Sequence, residues 1–109
     1  MGIIKMDDVM EKKRKQLIYD LMIGLYDLEL VDFPESKIVE DEFEEDKPCS
    51  ELYGHVCDAN KRLCERLGVQ EDKDVDIIIN CMFDISRILA MKMYDYGMKR
   101  EMFDQIDNL

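Results

Sequence analysis

One stretch limits the fold of this chain more than any other. From residue 72 to 96 the apolar residues fall on two sides of a helix. At about 100° per residue, Ile77, Ile78, Cys81, Met82, Ile85, Ile88, Leu89 and Tyr96 make one stripe. Ile79, Phe83, Ala90 and Tyr94, with Ser86 between them, make a second stripe about 150° away. A helix at the edge of a domain needs only one such stripe. The pattern therefore predicts a long third helix that packs on two sides, central to a small all-α bundle. Asp72 or Asp74 is the expected N-cap, and the acids at 72, 74 and 76 suit the positive end of the helix dipole. Gly97 should end or bend this helix. Met98, Met102, Phe103 and Ile106 then resume a helical pattern as a short C-terminal extension.

Two further helices precede it. Val9, Met10, Leu17, Ile18, Leu21, Met22, Leu25 and Leu28 recur at helical steps from about Asp8 to Leu28. Within that span Lys12, Lys13, Arg14 and Lys15 point all round the axis, either as a solvated helix end or as a dock for the acidic segment that follows. A second helix is expected over about Ser50–Leu67, with Ser50 as N-cap after Pro48 and Gly68 as the residue that stops it. Its stripe is Leu52, Val56, Leu63 and Leu67, joined by Tyr53, Cys57 and Cys64. The length of 109 residues fits one helical domain spanning 1–109. A chain of this size should bury roughly two-thirds of its unfolded surface. Leu21, Leu25, Val56, Leu63, Leu67, Ile78, Met82, Ile85 and Leu89 are the expected core.

Between the first two helices, at about 29–49, periodicity fails and acids accumulate. Residues 35–51 alone carry a net charge of −6, out of −11 for the whole chain. This segment reads as an exposed loop or a short, weakly held helical turn. A chain so acidic is a poor ligand for nucleic acid or an anionic membrane. No apolar run is long enough to span a bilayer.

Motifs for catalysis and metal binding are sparse. Four cysteines stand at 49, 57, 64 and 81 without a C-x-x-C pair, and His55 is the one histidine. That excludes the tight ligand spacing of a structural zinc site and leaves a thiol nucleophile without an oriented base. Cys57 and Cys64 read as small buried hydrophobes. Unpaired thiols, and an N-terminus MGIIKMDD without an apolar leader, point to a reducing cytoplasm. Asp72-Lys-Asp-Val-Asp76 resembles the start of a calcium loop, but Ile77 and Phe83 occupy the positions that need Gly and Glu. Glu42 with Glu45, Glu71 with Asp74, and Glu101 with Asp104 have the spacing of magnesium-holding carboxylate pairs in all-helical nucleotide pyrophosphohydrolases. With 26 acids in the chain such pairs arise by chance. No catalytic residue, metal ligand or cofactor is therefore assigned. Met82, Met91, Met93, Met98 and Met102 crowd the last third, as core filling or as part of a partner surface.

The segments LIYDLMIGLY (17–26), SELYGHVCDANKRLCERLG (50–68) and MYDYGMK (93–99), in that order, resemble a family of short uncharacterised helical proteins of Firmicutes and their phages. The resemblance covers residues 17–100 and implies a helical bacterial or phage protein. It carries no assigned activity and no functional residues. Small acidic phage proteins often inhibit host nucleic-acid enzymes, anti-CRISPR proteins among them.

The expected function is thus a non-catalytic, acidic protein–protein interaction module. It would act as a phage-type inhibitor, anti-CRISPR or otherwise anti-defence, occupying the basic nucleic-acid-binding surface of a host protein. Glu40, Asp41, Glu42, Glu44, Glu45 and Asp46 are the candidate partner-binding residues. Two alternatives stand beside it: the magnesium-dependent nucleotide hydrolase, and a self-associating structural protein. For self-association, as a homodimer, the candidates are Ile79, Phe83, Ser86, Ala90 and Tyr94.

Overall fold

Caps and prolines decide where the helices of this chain start and stop. The computed structural model describes residues 6–26 and 33–107. Among these there is no strand, and the elements run α1 (Met6–Met22), a 3-10 turn (Pro34–Lys37), α2 (Pro48–Leu67), α3 (Lys73–Gly97) and α4 (Arg100–Ile106). The all-α class, the long third helix and the short C-terminal helix agree with the sequence reading.

The boundaries follow local chemistry. Asp72 caps α3: its carboxylate accepts the Asp74 and Val75 backbone N–H groups at 3.0 Å each. The start of α2 differs from expectation. Pro48 occupies the first turn, Lys47 is the N-cap, and Ser50 lies inside the helix. Proline suits this place because its fixed φ is already helical and its missing N–H would have had no partner. Gly68 ends α2 with φ 72°, while Val69 N–H reaches Cys64 O at 3.0 Å and Gly68 N–H reaches Glu65 O at 3.2 Å. This is the Schellman closure.

The first helix is shorter than its periodicity predicts. Gly24, at φ 76°, closes α1 in the same way, with Leu25 N–H on Asp20 O at 2.9 Å and Gly24 N–H on Leu21 O at 3.3 Å. Leu25 is exposed beyond this stop. Leu28 lies outside the described residues, as do the side chains of residues 6–8.

Packing departs furthest from expectation. α1 lies against α3 and against the 3-10 turn. Two ion-assisted bonds hold α1 to α3: Lys15 Nζ donates to Asp95 Oδ1 at 2.9 Å, and Tyr94 Oη donates to Glu11 Oε2 at 2.8 Å. Arg14 reaches Glu35 of the turn at 3.6 Å. Part of the basic block therefore docks acids within the chain. α2 approaches α3 through the Tyr53 and Phe83 rings, edge to face at 5.7 Å, and the two helices leave an open groove beside that contact.

Nothing within the described chain covers the main stripe of α3. Of the nine residues expected in the core, Leu21 is buried and Leu63 half-buried, whereas Leu25, Val56, Leu67, Ile78, Met82, Ile85 and Leu89 are exposed. The physical reason is placement. α1 takes the side of α3 that carries Tyr94 and Asp95, and α2 meets it at Phe83, so neither reaches Ile85 or Leu89. The radius of gyration is 18.7 Å, where a compact chain of this length has about 13 Å.

Candidate functional site

Three aromatic side chains organise the centre of the molecule. Tyr53 of α2 stacks edge to face between Phe43 at 6.3 Å and Phe83 of α3 at 5.7 Å. Hydrogen bonding to Cys57, then the negative charge of Cys57 as a thiolate, then burial raise the Tyr53 phenol above its usual range. On one side of these rings an apolar groove of about 320 Å³ opens between α2 and α3. Leu52 and Val56 form its α2 wall, Ile78 and Met82 its α3 wall, and Phe43 and Cys49 also line it. On the other side Tyr19, Ile23, Ser50, Asp84 and Arg87 surround a more polar hollow.

The five residues expected to mediate self-association are divided among these surroundings. Ile79 and Phe83 belong to the groove. Ser86 lines it as well, with its hydroxyl donating to Met82 O at 3.0 Å on its own helix. Ala90 is half-buried, and Tyr94 is bonded to Glu11 of α1. The stripe that the structure leaves open is the other one, with Ile78 at 62%, Met82 at 56%, Ile85 at 48% and Leu89 at 63% exposure.

The six candidate acids are close in space but not alike. Asp41 is structural: its Oδ1 accepts the Phe43 N–H at 2.8 Å, and its carboxylate oxygens lie 2.8 Å from where a Cβ on Gly24 would be. Next to it, Glu42 N–H donates to Met22 O at 2.8 Å, capping α1 from outside. Lys47 gathers the segment, donating to Asp41 O at 2.8 Å and pairing with Glu40 at 3.3 Å and Glu44 at 3.6 Å. Burial works to lower the Lys47 pKa. The hydrogen bond and charge of Glu40, with the charges of Glu42 and Glu44, outweigh it and hold the ammonium above its ordinary 10.5. Glu45 and Asp46 stand exposed on the outer turn. These bonds fold the acidic segment as an exposed loop that caps the end of α1.

His55 and Cys57 are two apart on α2 and so project from different faces. Among the described residues, no group of three or more His, Cys, Asp or Glu side chains is placed to hold a metal ion. The three acidic pairs of the hydrolase reading are thus not gathered into one site. No described helix is long and apolar enough to cross a membrane.

Of the groove residues, sequence reasoning did not single out Phe43, Cys49, Leu52, Tyr53, Val56, Ile78 or Met82 as part of a site. For four of them the signal was present, since Leu52, Tyr53 and Val56 lie on one face of α2 and Phe43 is an apolar anchor among acids. The splaying of α2 from α3, which makes that face a groove, has no sequence signature. No family model, curated protein or solved structure matches the chain.

Proposed function

We propose that this chain is a non-catalytic protein–protein interaction module whose acidic cap engages the basic surface of a protein partner. The observation that carries this reading is the folding of the 40–47 segment. A cluster of acids held by Lys47 and by the end of α1 presents negative charge on a fixed frame. A fixed array loses less entropy on binding than a mobile tail. The net charge of −11 adds long-range attraction to any basic groove, which mainly speeds encounter. A partner that uses such a groove for nucleic acid would be blocked by competition. A phage-type inhibitor, anti-CRISPR or other anti-defence, is the form of this reading that the sequence resemblance suggests.

Glu42, Glu45 and Asp46 are the acids to test, because Asp41 has a structural bond and Glu40 and Glu44 hold Lys47. The experiment is capture of nucleic-acid-binding proteins on the immobilised chain, with the captured protein then purified. Wild type should bind it at low salt, release it at high salt and compete with its nucleic acid. The Glu42→Gln, Glu45→Gln, Asp46→Asn variant should lose most of that affinity. Equal binding by wild type and variant, or binding indifferent to salt, contradicts the electrostatic reading.

A further inference from the structure

We propose that the open face of α3, with the adjoining side of α2, is a self-association surface on which a second copy of this chain packs about a two-fold axis. Three features of the molecule converge on that occupant.

The first is area. The chain exposes 9616 Å², whereas a compact monomer of 12.9 kDa exposes about 6,300 Å². The excess is about 3,300 Å² per chain. Covering only half of it on each of two copies buries about 3,300 Å² in total, an obligate-homodimer interface. A small ligand in the groove would leave nearly all of the excess uncovered.

The second is spacing. Ile78, Met82, Ile85 and Leu89 are separated by four, three and four residues. That alternation is the seam by which one helix packs lengthwise against another. It specifies a helix as the occupant, and this chain itself carries one with the matching seam. A two-fold axis lets the same patch serve both copies and closes the assembly at two.

The third is the placement of charge. Between Ile77 and Met91 the charged residues are Asp84 and Arg87, and both line the hollow on the other side of the aromatic wall. Of the acidic cap, Phe43 reaches this face as part of the groove lining, whereas its flanking Glu42 and Glu44 do not line the groove. Two copies each carrying −11 can meet on this face without pressing acid against acid. A basic partner would find no counter-charge here.

The dimer is independent of the acidic-cap reading, and its test contains no other protein. Sedimentation velocity on wild type at tens of micromolar should give the mass of two chains. Ile85→Glu places a charge in the seam and should weaken association about a hundred-fold or more. Cys81, exposed in the single chain and on the same stripe, supplies a readout that needs no variant. Its alkylation by iodoacetamide in native wild type should be slower than in the denatured chain by about ten-fold or more, since access limits thiol reactivity. A native mass of one chain, or of three or more, overturns the proposal. So does a Cys81 as reactive in the native protein as in denaturant, or an Ile85→Glu protein that folds and still sediments as two chains.

Discussion

Gly24 and Asp46 adopt the same left-handed backbone, at φ 76° and 71°, and only one of them is a glycine. At Gly24 the conformation closes α1 and leaves room for the Asp41 carboxylate. Gly24→Ala should destabilise the chain by at least about 1–2 kcal/mol, the cost of placing a Cβ in this region. The clash with Asp41 adds to it. At Asp46 the strain is already present and the side chain is exposed. Asp46→Gly should therefore stabilise by about 0.5–1 kcal/mol, and it also removes one negative charge from an acidic surface. Urea unfolding of the two variants checks both signs. Leu21, the one large side chain that is fully buried among the described residues, should cost about 2–5 kcal/mol on truncation to Ala.

Two polar side-chain contacts join α1 to α3, and they give the pairing a pH signature. Burial first, then the hydrogen bond to Glu11, hold the Tyr94 phenol above its ordinary 10.0. A group that keeps its proton more tightly when folded contributes stability fully present below the unfolded pKa. That contribution is lost as pH rises through the folded value. Lys47 acts in the same direction above its ordinary 10.5. Stability from these groups should thus be flat from neutral pH to about 9.5 and fall above about 10. Tyr94→Phe should cost about 0.5–1 kcal/mol near pH 7 and remove part of the alkaline fall, as urea midpoints across that range would show. The elements themselves were largely legible from the sequence. Asp72 as a cap, Gly68 as a stop and the 3.6-residue period of α3 are local signals, and local chemistry decides them. Gly24 stops α1 although Leu25 continues the apolar period on its far side, so periodicity alone overruns the stop. The site was less legible. The two stripes of α3 identify a helix with two occupied sides. Which side the chain's own α1 takes depends on Lys15 meeting Asp95 and Glu11 meeting Tyr94, pairs about eighty residues apart in sequence.

At the scale of the whole molecule, exposure outweighs burial. An isolated chain that leaves Ile78, Met82, Ile85 and Leu89 in water forgoes most of the apolar burial its composition offers. On the dimer account, substitutions in the seam act through association. Ile85→Ala should lower the melting temperature more at low protein concentration than at high, because the folded state is then linked to chain concentration. Leu21→Ala should also lower it, but its deficit relative to wild type should change little with concentration. Salt separates the two surfaces. Screening weakens the attraction of the acidic cap for a basic partner, whereas it relieves the mutual repulsion of two acidic copies and favours their apolar contact. The decisive measurement is the native mass by light scattering at tens of micromolar, from low to high sodium chloride. A dimer on the α3 seam should give the mass of two chains, with association tightening as salt rises. A constant 12.9 kDa particle across that range would contradict it.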